Sequence, residues 1–244
     1  MKLSVFWCSL CIFISGYHVS ASQGVTKDHI WEKMQWVRET AIPGVVPVQG
    51  GPLNVTLGLG LTTIRDVDID RGEVEITAMR TVQWRDFSLS WLGKFSENIV
   101  SGINMNVNDL WSPDIVAYNA VHAPELLSPP LVHVSPDGSI MYVPHERIRF
   151  NCNLVNLETP GGANCTIKYG SWTYNGFLLH LQAANIHGFS LNDYMGDSRF
   201  EIMETYVEAE TIYYPCCAEP YPDVKFTLNF RKKTSSESWI GWKK

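Results

Sequence analysis

The chain has 244 residues, and its 19 basic and 25 acidic residues give a formal net charge of −6 at pH 7. This balance gives no support for nucleic acid or an anionic membrane as a partner, and it mildly favours cationic ligands. The sequence has no His-Glu-x-x-His, Gly-x-Ser-x-Gly or phosphate-binding glycine motif, and its histidines are scattered. We therefore expect a protein that is not an enzyme, with no catalytic residue, metal site or cofactor.

The first 22 residues are predicted to be a secretory signal peptide. Lys2 precedes an apolar run over residues 3–14, and the small residues Ser20, Ala21 and Ser22 follow it, which is the usual order in such a peptide. The run is shorter than the ~20 apolar residues that span a bilayer, and an uncleaved membrane anchor is the less favoured alternative. Without Lys2 the chain has 18 basic and 25 acidic residues. We expect the mature protein to be secreted, extracellular and soluble.

One helix is predicted, over residues 26–40. Apolar residues recur at positions i, i+4 and i+7, which gives a single apolar stripe. The stripe consists of Ile30, Met34 and Val37. Thr26 or Asp28 can cap the start of this helix.

After the helix the hydrophobic period changes to two, which is typical of half-buried strands. Apolar residues alternate with polar residues or glycine over 54–61, 73–78 and 224–230, and turn signals lie at 70–72 and 136–138. No repeat or linker divides the chain. The pattern predicts one all-β domain over residues 23–233, an immunoglobulin-like β-sandwich of about ten strands behind an N-terminal helix, with a polar tail over 234–244.

Four cysteines remain after removal of the signal peptide, and export makes them candidates for disulfides. Four cysteines allow three pairings. We favour Cys152 with Cys165, because the 12 residues between them include the turn 159–162, which can bring the ends together. Cys216 then bonds its neighbour Cys217.

Two Asn-x-Thr triplets are candidate N-glycosylation sites in an exported protein. They begin at Asn54 and Asn164. Each signal is weak on its own, since such triplets also arise by chance.

Several aromatic residues lie beside polar turns or beside the adjacent cysteines. They are Tyr118, Trp172, Tyr174, Tyr213, Tyr214 and Tyr221. A well-placed ring attracts a cation by ~0.5–2 kcal/mol, although composition alone equally fits ordinary core aromatics. A disulfide between neighbours cross-links almost nothing, so we interpret Cys216 and Cys217 as a stiff hairpin tip that folds over a ligand. We expect Trp172 and Tyr174 to be accessible, and Asp114 to cap its own turn rather than act as an acid.

Four segments together carry a family resemblance. They are residues 111–119, 170–174, 214–221 and 224–233. The chain resembles the ligand-binding domain of Cys-loop receptors from about residue 26 to 233, and more narrowly the soluble acetylcholine-binding proteins of molluscs. The 12-residue spacing between Cys152 and Cys165 also matches those soluble members.

The resemblance implies a homopentamer that binds acetylcholine or a similar small cationic ligand between subunits. On the principal face it implies an aromatic cage under a cysteine cap, formed by Tyr118, Trp172, Tyr214, Cys216, Cys217 and Tyr221. The carbonyl of Trp172 is expected to accept a hydrogen bond from the ligand ammonium. On the complementary face the implied residues are Met79, His133, Met141 and Val143.

Two departures from the family pattern qualify this expectation. Met79 stands where the family usually has Trp or Tyr; its alternation phase directs it outward, but it has no π-face. The segment 153–164 lacks the apolar Phe-Pro-Phe type sequence of channel subunits, and no four apolar segments follow before Lys244.

These departures favour a soluble binding protein with no membrane partner. One alternative is the ectodomain of a ligand-gated ion channel. Another is an extracellular structural or carrier assembly protein with a weakened site, for which Met79 is the best support. Association of pentamers into a higher assembly is left open.

Overall fold

The computed structural model describes residues 24–95 and 100–234. The predicted signal peptide and all but the first residue of the predicted tail lie outside the described residues. Within them, no helix combines the length and apolar character needed to cross a membrane.

The predicted helix is confirmed as α1 (Lys27–Thr40). Thr26 caps it, because its hydroxyl accepts from the His29 N–H at 3.3 Å while the His29 ring accepts from the Thr26 N–H at 3.2 Å. Val37 is buried, but Ile30 is exposed, so its place in the buried stripe was wrong. Lys33 is buried instead, with its ammonium 4.0 Å from the centre of the Phe95 ring. The Lys33 ammonium also pairs with Glu32 at 2.6 Å, while Val37 and the half-buried Met34 of the predicted stripe pack against the core.

Twelve strands are present in the described residues. In chain order they are β1 (Leu53–Asp68), β2 (Glu73–Arg85), β3 (Ile103–Asn106), β4 (Ile115–Ala117), β5 (Glu125–Leu126), β6 (Leu131–Val134), β7 (Ser139–Tyr142), β8 (His145–Asn151), β9 (Ala163–Ser171), β10 (Leu179–Ala183), β11 (Phe200–Tyr213) and β12 (Pro220–Lys232).

The strands form two sheets. The larger sheet has the order β10-β1-β2-β7-β6-β3. Strand β8 also belongs to it and pairs with residues 73–79 of β2 on one side and with β5 on the other. The smaller sheet has the order β11-β12-β9-β4. The β-sandwich with an N-terminal helix is therefore confirmed, with twelve strands where about ten were expected.

The core lies between the sheets and follows the predicted alternation. The apolar residues of the three alternating segments are buried, namely Val55, Leu57, Leu59, Leu61, Val74, Ile76, Ala78, Val224, Phe226, Leu228 and Phe230. A buried ion pair crosses this interior, since the Arg80 guanidinium donates to both carboxylate oxygens of Glu146 at 3.0 and 2.8 Å. Such a pair retains its charges because each group satisfies the other.

Tight turns connect the strands where they were predicted. Gly72 and Gly138 have φ angles of 66° and 82°, a region that favours glycine. At Gly138 a Cβ atom would also overlap the carbonyl of Asp86. A disulfide joins Cys152 to Cys165 with a Cα separation of 5.1 Å and closes the segment between β8 and β9.

Candidate ligand-binding site

An open cavity of about 380 Å³ lies at one end of the smaller sheet. Its lining consists of Tyr118, Ser171, Trp172, Tyr214 and Tyr221. The strand order places these residues together, because β9 pairs with both β4 and β12, and β12 pairs with β11. Four aromatic residues from four strand ends therefore meet at one cavity.

The four rings form two pairs. The ring centres of Tyr118 and Trp172 are 6.4 Å apart with their planes at 60°, and those of Tyr214 and Tyr221 are 5.4 Å apart at 69°. Trp172 is 72% exposed, which is unusual for so large an apolar side chain. Uncovered ring faces that converge on one cavity are suited to hold an ammonium group.

Tyr118 is fixed by a hydrogen bond from its hydroxyl to the carbonyl of Ser171, at 2.7 Å. Gly170 makes room for this ring, since a Cβ atom there would overlap it. Burial raises the pKa of Tyr118, and nearby Tyr214 and Asp223 raise it further. The hydroxyl therefore remains a protonated donor at neutral pH.

Asp114 holds the segment that presents Trp172. Its carboxylate accepts from the Ser171 hydroxyl, and from the backbone N–H and hydroxyl of Thr173 at 2.7 Å each. Its carbonyl accepts from the Trp172 N–H at 3.1 Å. The expectation that Asp114 caps its own turn was wrong, because the carboxylate satisfies a neighbouring loop instead.

Tyr174 does not belong to the cavity, although we expected it to be accessible. Its hydroxyl accepts from the Trp111 indole N–H at 3.1 Å, and the two ring centres are 5.8 Å apart. Trp111 is itself buried and packs edge-on against Trp84 at 6.3 Å. Tyr174 therefore extends the core, because the chain turns inward after Trp172.

Cys216 and Cys217 are joined at the tip of the β11–β12 hairpin. The Cys217 N–H donates to the carbonyl of Tyr214 at 3.1 Å, which ties the tip to the aromatic residue before it. Neither cysteine contributes to the described lining of the aromatic cavity. The cysteine cap over the cavity therefore stays a prediction.

Lys168 lies beside the aromatic cavity. Its ammonium lies 5.6 Å from the centre of the Tyr118 ring and 2.8 Å from the carboxylate of Asp223. The Asp223 side chain is only 3% exposed, so this ion pair is largely removed from water. The pairing offsets a positive charge that would otherwise repel a cationic ligand.

A second cavity, of about 320 Å³, lies on the larger sheet. It is lined by Asn54, Thr56, Gln83, Trp84, His133, Ser135, Ser139, Ile140 and Met141. The strand register explains two of these neighbours, because Met141 lies opposite both Gln83 and His133. The sequence had indicated His133 and Met141 but not Gln83 or Thr56, whose only signal is the polar phase of their strands.

The remaining complementary residues lie outside this second cavity. Val143 is half-exposed just beyond the end of β7. Met79 is half-buried opposite Gly60 and His145, and a Cβ atom at Gly60 would lie 3.8 Å from its methyl carbon. Thr77 is two residues before Met79 and therefore on the same face of β2, but it is buried. The predicted outward direction therefore does not hold for every residue on that face. Met79 and Gln83 are four positions apart, which corresponds to about 13 Å along the strand.

The two cavities belong to different sheets, and no described residue lines both of them. No group of three or more His, Cys, Asp or Glu side chains suited to a metal ion occurs within residues 24–95 and 100–234. The aromatic cavity is open to solvent, and its rings are of the kind that attract cations.

A β-sandwich that carries an open aromatic cage beside a hairpin tip defines a ligand-binding domain. Residues 38–234 match the family described as the neurotransmitter-gated ion-channel ligand binding domain. The chain belongs to this family. Its members are ligand-binding domains rather than enzymes.

Similar proteins include subunits of acetylcholine receptors. The chain is 31% identical to acetylcholine receptor subunit alpha-type acr-16 of Caenorhabditis elegans over 185 residues, which covers 75% of this chain and 37% of that subunit. It is 30% identical to neuronal acetylcholine receptor subunit alpha-9 of Gallus gallus over 242 residues, or 96% of this chain and 49% of the subunit. The chain thus spans less than half the length of these relatives.

Proposed function

We propose that the chain is a secreted, soluble acetylcholine-binding protein that holds small cationic ligands between the subunits of a homopentamer. The observation that carries the proposal is the cage of Tyr118, Trp172, Tyr214 and Tyr221, which has exposed ring faces and one open side. An ammonium group without strong hydrogen-bond demands is the ligand class that such faces attract.

The separation of the two cavities supports an interface site. The principal cage belongs to the smaller sheet, whereas the complementary cavity with His133 and Met141 belongs to the larger one. When two different faces of identical subunits meet, the contact is head-to-tail, and it closes into a ring if the rotation between neighbours divides a full turn. The number five comes from the family resemblance, and the printed names of the relatives support acetylcholine as the ligand type.

A channel ectodomain is the alternative within the same family. The relatives are receptor subunits about two to three times the length of the matched region, which favours this alternative. The segment after Cys152 favours the soluble protein instead: its Leu154 and Leu157 are buried, and Val155 is its exposed large apolar side chain. A surface of that kind offers little apolar area for docking on a membrane domain.

A site of reduced affinity is the second alternative, as expected for an extracellular structural or carrier assembly. Met79 favours it, because this side chain is half-buried against Gly60 and offers no aromatic face. Ligand affinity separates this alternative from the leading proposal.

Titration of the purified secreted protein with acetylcholine tests the proposal through tryptophan fluorescence. We expect quenching that is lost in Trp172→Leu and kept in Trp31→Phe, a matched change on the exposed face of α1. Sedimentation velocity on the same samples measures the subunit number. Absence of any response at millimolar acetylcholine would contradict cholinergic binding, and a monomer that binds fully would contradict the interface site.

A further inference from the structure

The glycosylation triplet at Asn54 lies within the complementary cavity rather than on a remote loop. Asn54 is the second residue of β1 and lines the cavity that also contains His133 and Met141. Thr56, the third residue of the triplet, lines the same cavity. A group attached to Asn54 would therefore stand on the face that we propose meets the ligand.

The Asn54 side chain is exposed, and it makes no hydrogen bond with any residue of the described parts of the chain. The other triplet differs. The amide oxygen of Asn164 accepts from the side chain of Asn229 at 2.6 Å, and these residues lie opposite each other in the β9–β12 pair. Among the described residues, the Asn54 side chain therefore extends from its strand without a hydrogen bond, whereas the Asn164 side chain is held by one.

The strand register brings this triplet close to the complementary residues. Thr56 lies opposite Gln83, Gln83 opposite Met141, and Met141 opposite His133, so the four side chains form one row across neighbouring strands. At a strand spacing of about 4.8 Å, Met141 is about 10 Å and His133 about 14 Å from Thr56 across the sheet. Asn54 precedes Thr56 by two residues and lies on the same face.

We propose that Asn54 carries an N-linked glycan whose first sugars cover the end of the complementary cavity beside Asn54 and Thr56 and restrict the interface site to small ammonium ligands. This inference rests on the proposed function. An N-linked glycan is bulky and hydrated, so it occupies the space above a shallow cavity of about 320 Å³. A small cation held between the aromatic cage and Met141 leaves the end of the cavity beside Asn54 unoccupied, whereas a long ligand that extends along the neighbouring face reaches it.

The test uses the secreted protein from eukaryotic cells and two probes, tetramethylammonium and a bis-quaternary ammonium with a long methylene spacer. Asn54→Gln and Thr56→Ala both remove the triplet, whereas Thr56→Ser changes the same strand and keeps it. Asn164→Gln is the control for loss of the other triplet. Glycosidase treatment of the folded wild-type protein removes the sugars without a substitution.

Intact mass is expected to show a glycan that Asn54→Gln and Thr56→Ala both lose and Thr56→Ser keeps. The two variants without the triplet, and the glycosidase-treated protein, should bind the long ligand about tenfold more tightly than the wild type. The glycosidase-treated wild type, which carries no substitution, should keep its affinity for tetramethylammonium within about twofold, and Asn164→Gln should behave as the wild type towards both probes.

An unmodified Asn54 in the wild-type mass would overturn the inference. So would equal affinity of the wild type and Asn54→Gln for the long ligand, while tetramethylammonium still binds. If tetramethylammonium binds none of the proteins, the proposed function fails and this inference fails with it.

Discussion

The ring of Tyr214 packs edge-on against the ring of Tyr221, with their centres 5.4 Å apart, although six residues of the hairpin separate them in sequence. The packing depends on the β11–β12 register, in which Tyr213 lies opposite Pro220 and Ile212 opposite Tyr221. The hairpin thus places Tyr214 and Tyr221 in the same cavity as Tyr118 and Trp172.

Loss of the Tyr214 ring face should weaken cation binding. Tyr214→Leu is expected to cost ~0.5–2 kcal/mol in the binding of tetramethylammonium, because one ring face is removed, whereas Tyr214→Phe keeps the face and most of the affinity. Calorimetric titration measures both. Tyr213→Leu is the matched control, since Tyr213 is exposed and does not line the cavity. Equal losses in the Leu and Phe variants would show that the hydroxyl, and not the ring, binds the ligand.

Asp114 should affect binding through the position of Trp172. Its carboxylate accepts three hydrogen bonds from Ser171 and Thr173, and Asn at this position can accept with only one oxygen. Asp114→Asn is expected to lower the free energy of unfolding by about 1–3 kcal/mol and to weaken ligand binding as well. Urea denaturation and titration measure the two effects, with Asp70→Asn at an exposed turn as the control. Unchanged binding by a destabilised variant would separate Asp114 from the site.

The buried ion pair between Arg80 and Glu146 should be sensitive to loss of one partner. Glu146→Gln is expected to destabilise the fold by about 3–5 kcal/mol, because it leaves the Arg80 guanidinium buried without a counter-charge. Glu125→Gln removes the partner of Arg147 in a much more exposed pair and should cost about 1 kcal/mol or less. Denaturant unfolding measures both variants. A similar small cost for both would show that water reaches Arg80 in solution.

Stability should fall in alkaline solution because of tyrosines held in their protonated form. Burial raises the pKa of Tyr169 well above its ordinary value of 10.0, and it raises that of Tyr194 to about 12. Above about pH 10 these groups ionise in the unfolded chain before they ionise in the folded protein, so their contribution to the free energy of unfolding is constant below pH 10 and falls above it.

Tyr169→Phe isolates one of these groups. The Tyr169 hydroxyl is buried and has no hydrogen-bond partner in the described residues, so its removal should be close to neutral at pH 7. At pH 11 the variant should be more stable than the wild type. If the free energy of unfolding of the two proteins changed with pH in the same way, the result would contradict the buried environment of Tyr169.

The strands were predictable because their side chains alternate between core and surface, as β1 shows from Val55 to Leu61. The residues that lie next to each other on neighbouring strands could not be predicted from the sequence. Gln83 lies beside Met141 only through the β2–β7 register, which no local pattern states. The burial of Lys33 likewise depends on Phe95, more than 60 residues away in the sequence. The local sequence indicates which face of a helix or strand is apolar. The residues that pack against that face come from distant parts of the chain, and the local sequence does not identify them.

The same limit applies to the site. Tyr118, Trp172, Tyr214 and Tyr221 were named from their motifs, and the structure brings them to one cavity. Tyr174 belongs to the same kind of motif but packs on Trp111. The sequence of a turn-rich segment does not distinguish an aromatic residue of the core from one of the site. The hydrogen-bond partner in the structure makes that distinction, as Trp111 does for Tyr174.

We propose that one copy of the chain supplies the aromatic cage and that its neighbour supplies the complementary wall. Trp172→Leu removes a cage ring, and Met141→Arg places a positive charge on the opposite wall, so each variant alone should bind acetylcholine poorly while still assembling. In co-expressed mixtures, about a quarter of the interfaces in a head-to-tail ring combine two intact faces. We predict that titration of such mixtures recovers about that fraction of wild-type sites. No recovery in mixed assemblies of normal size, or full binding by Met141→Arg alone, would contradict the claim.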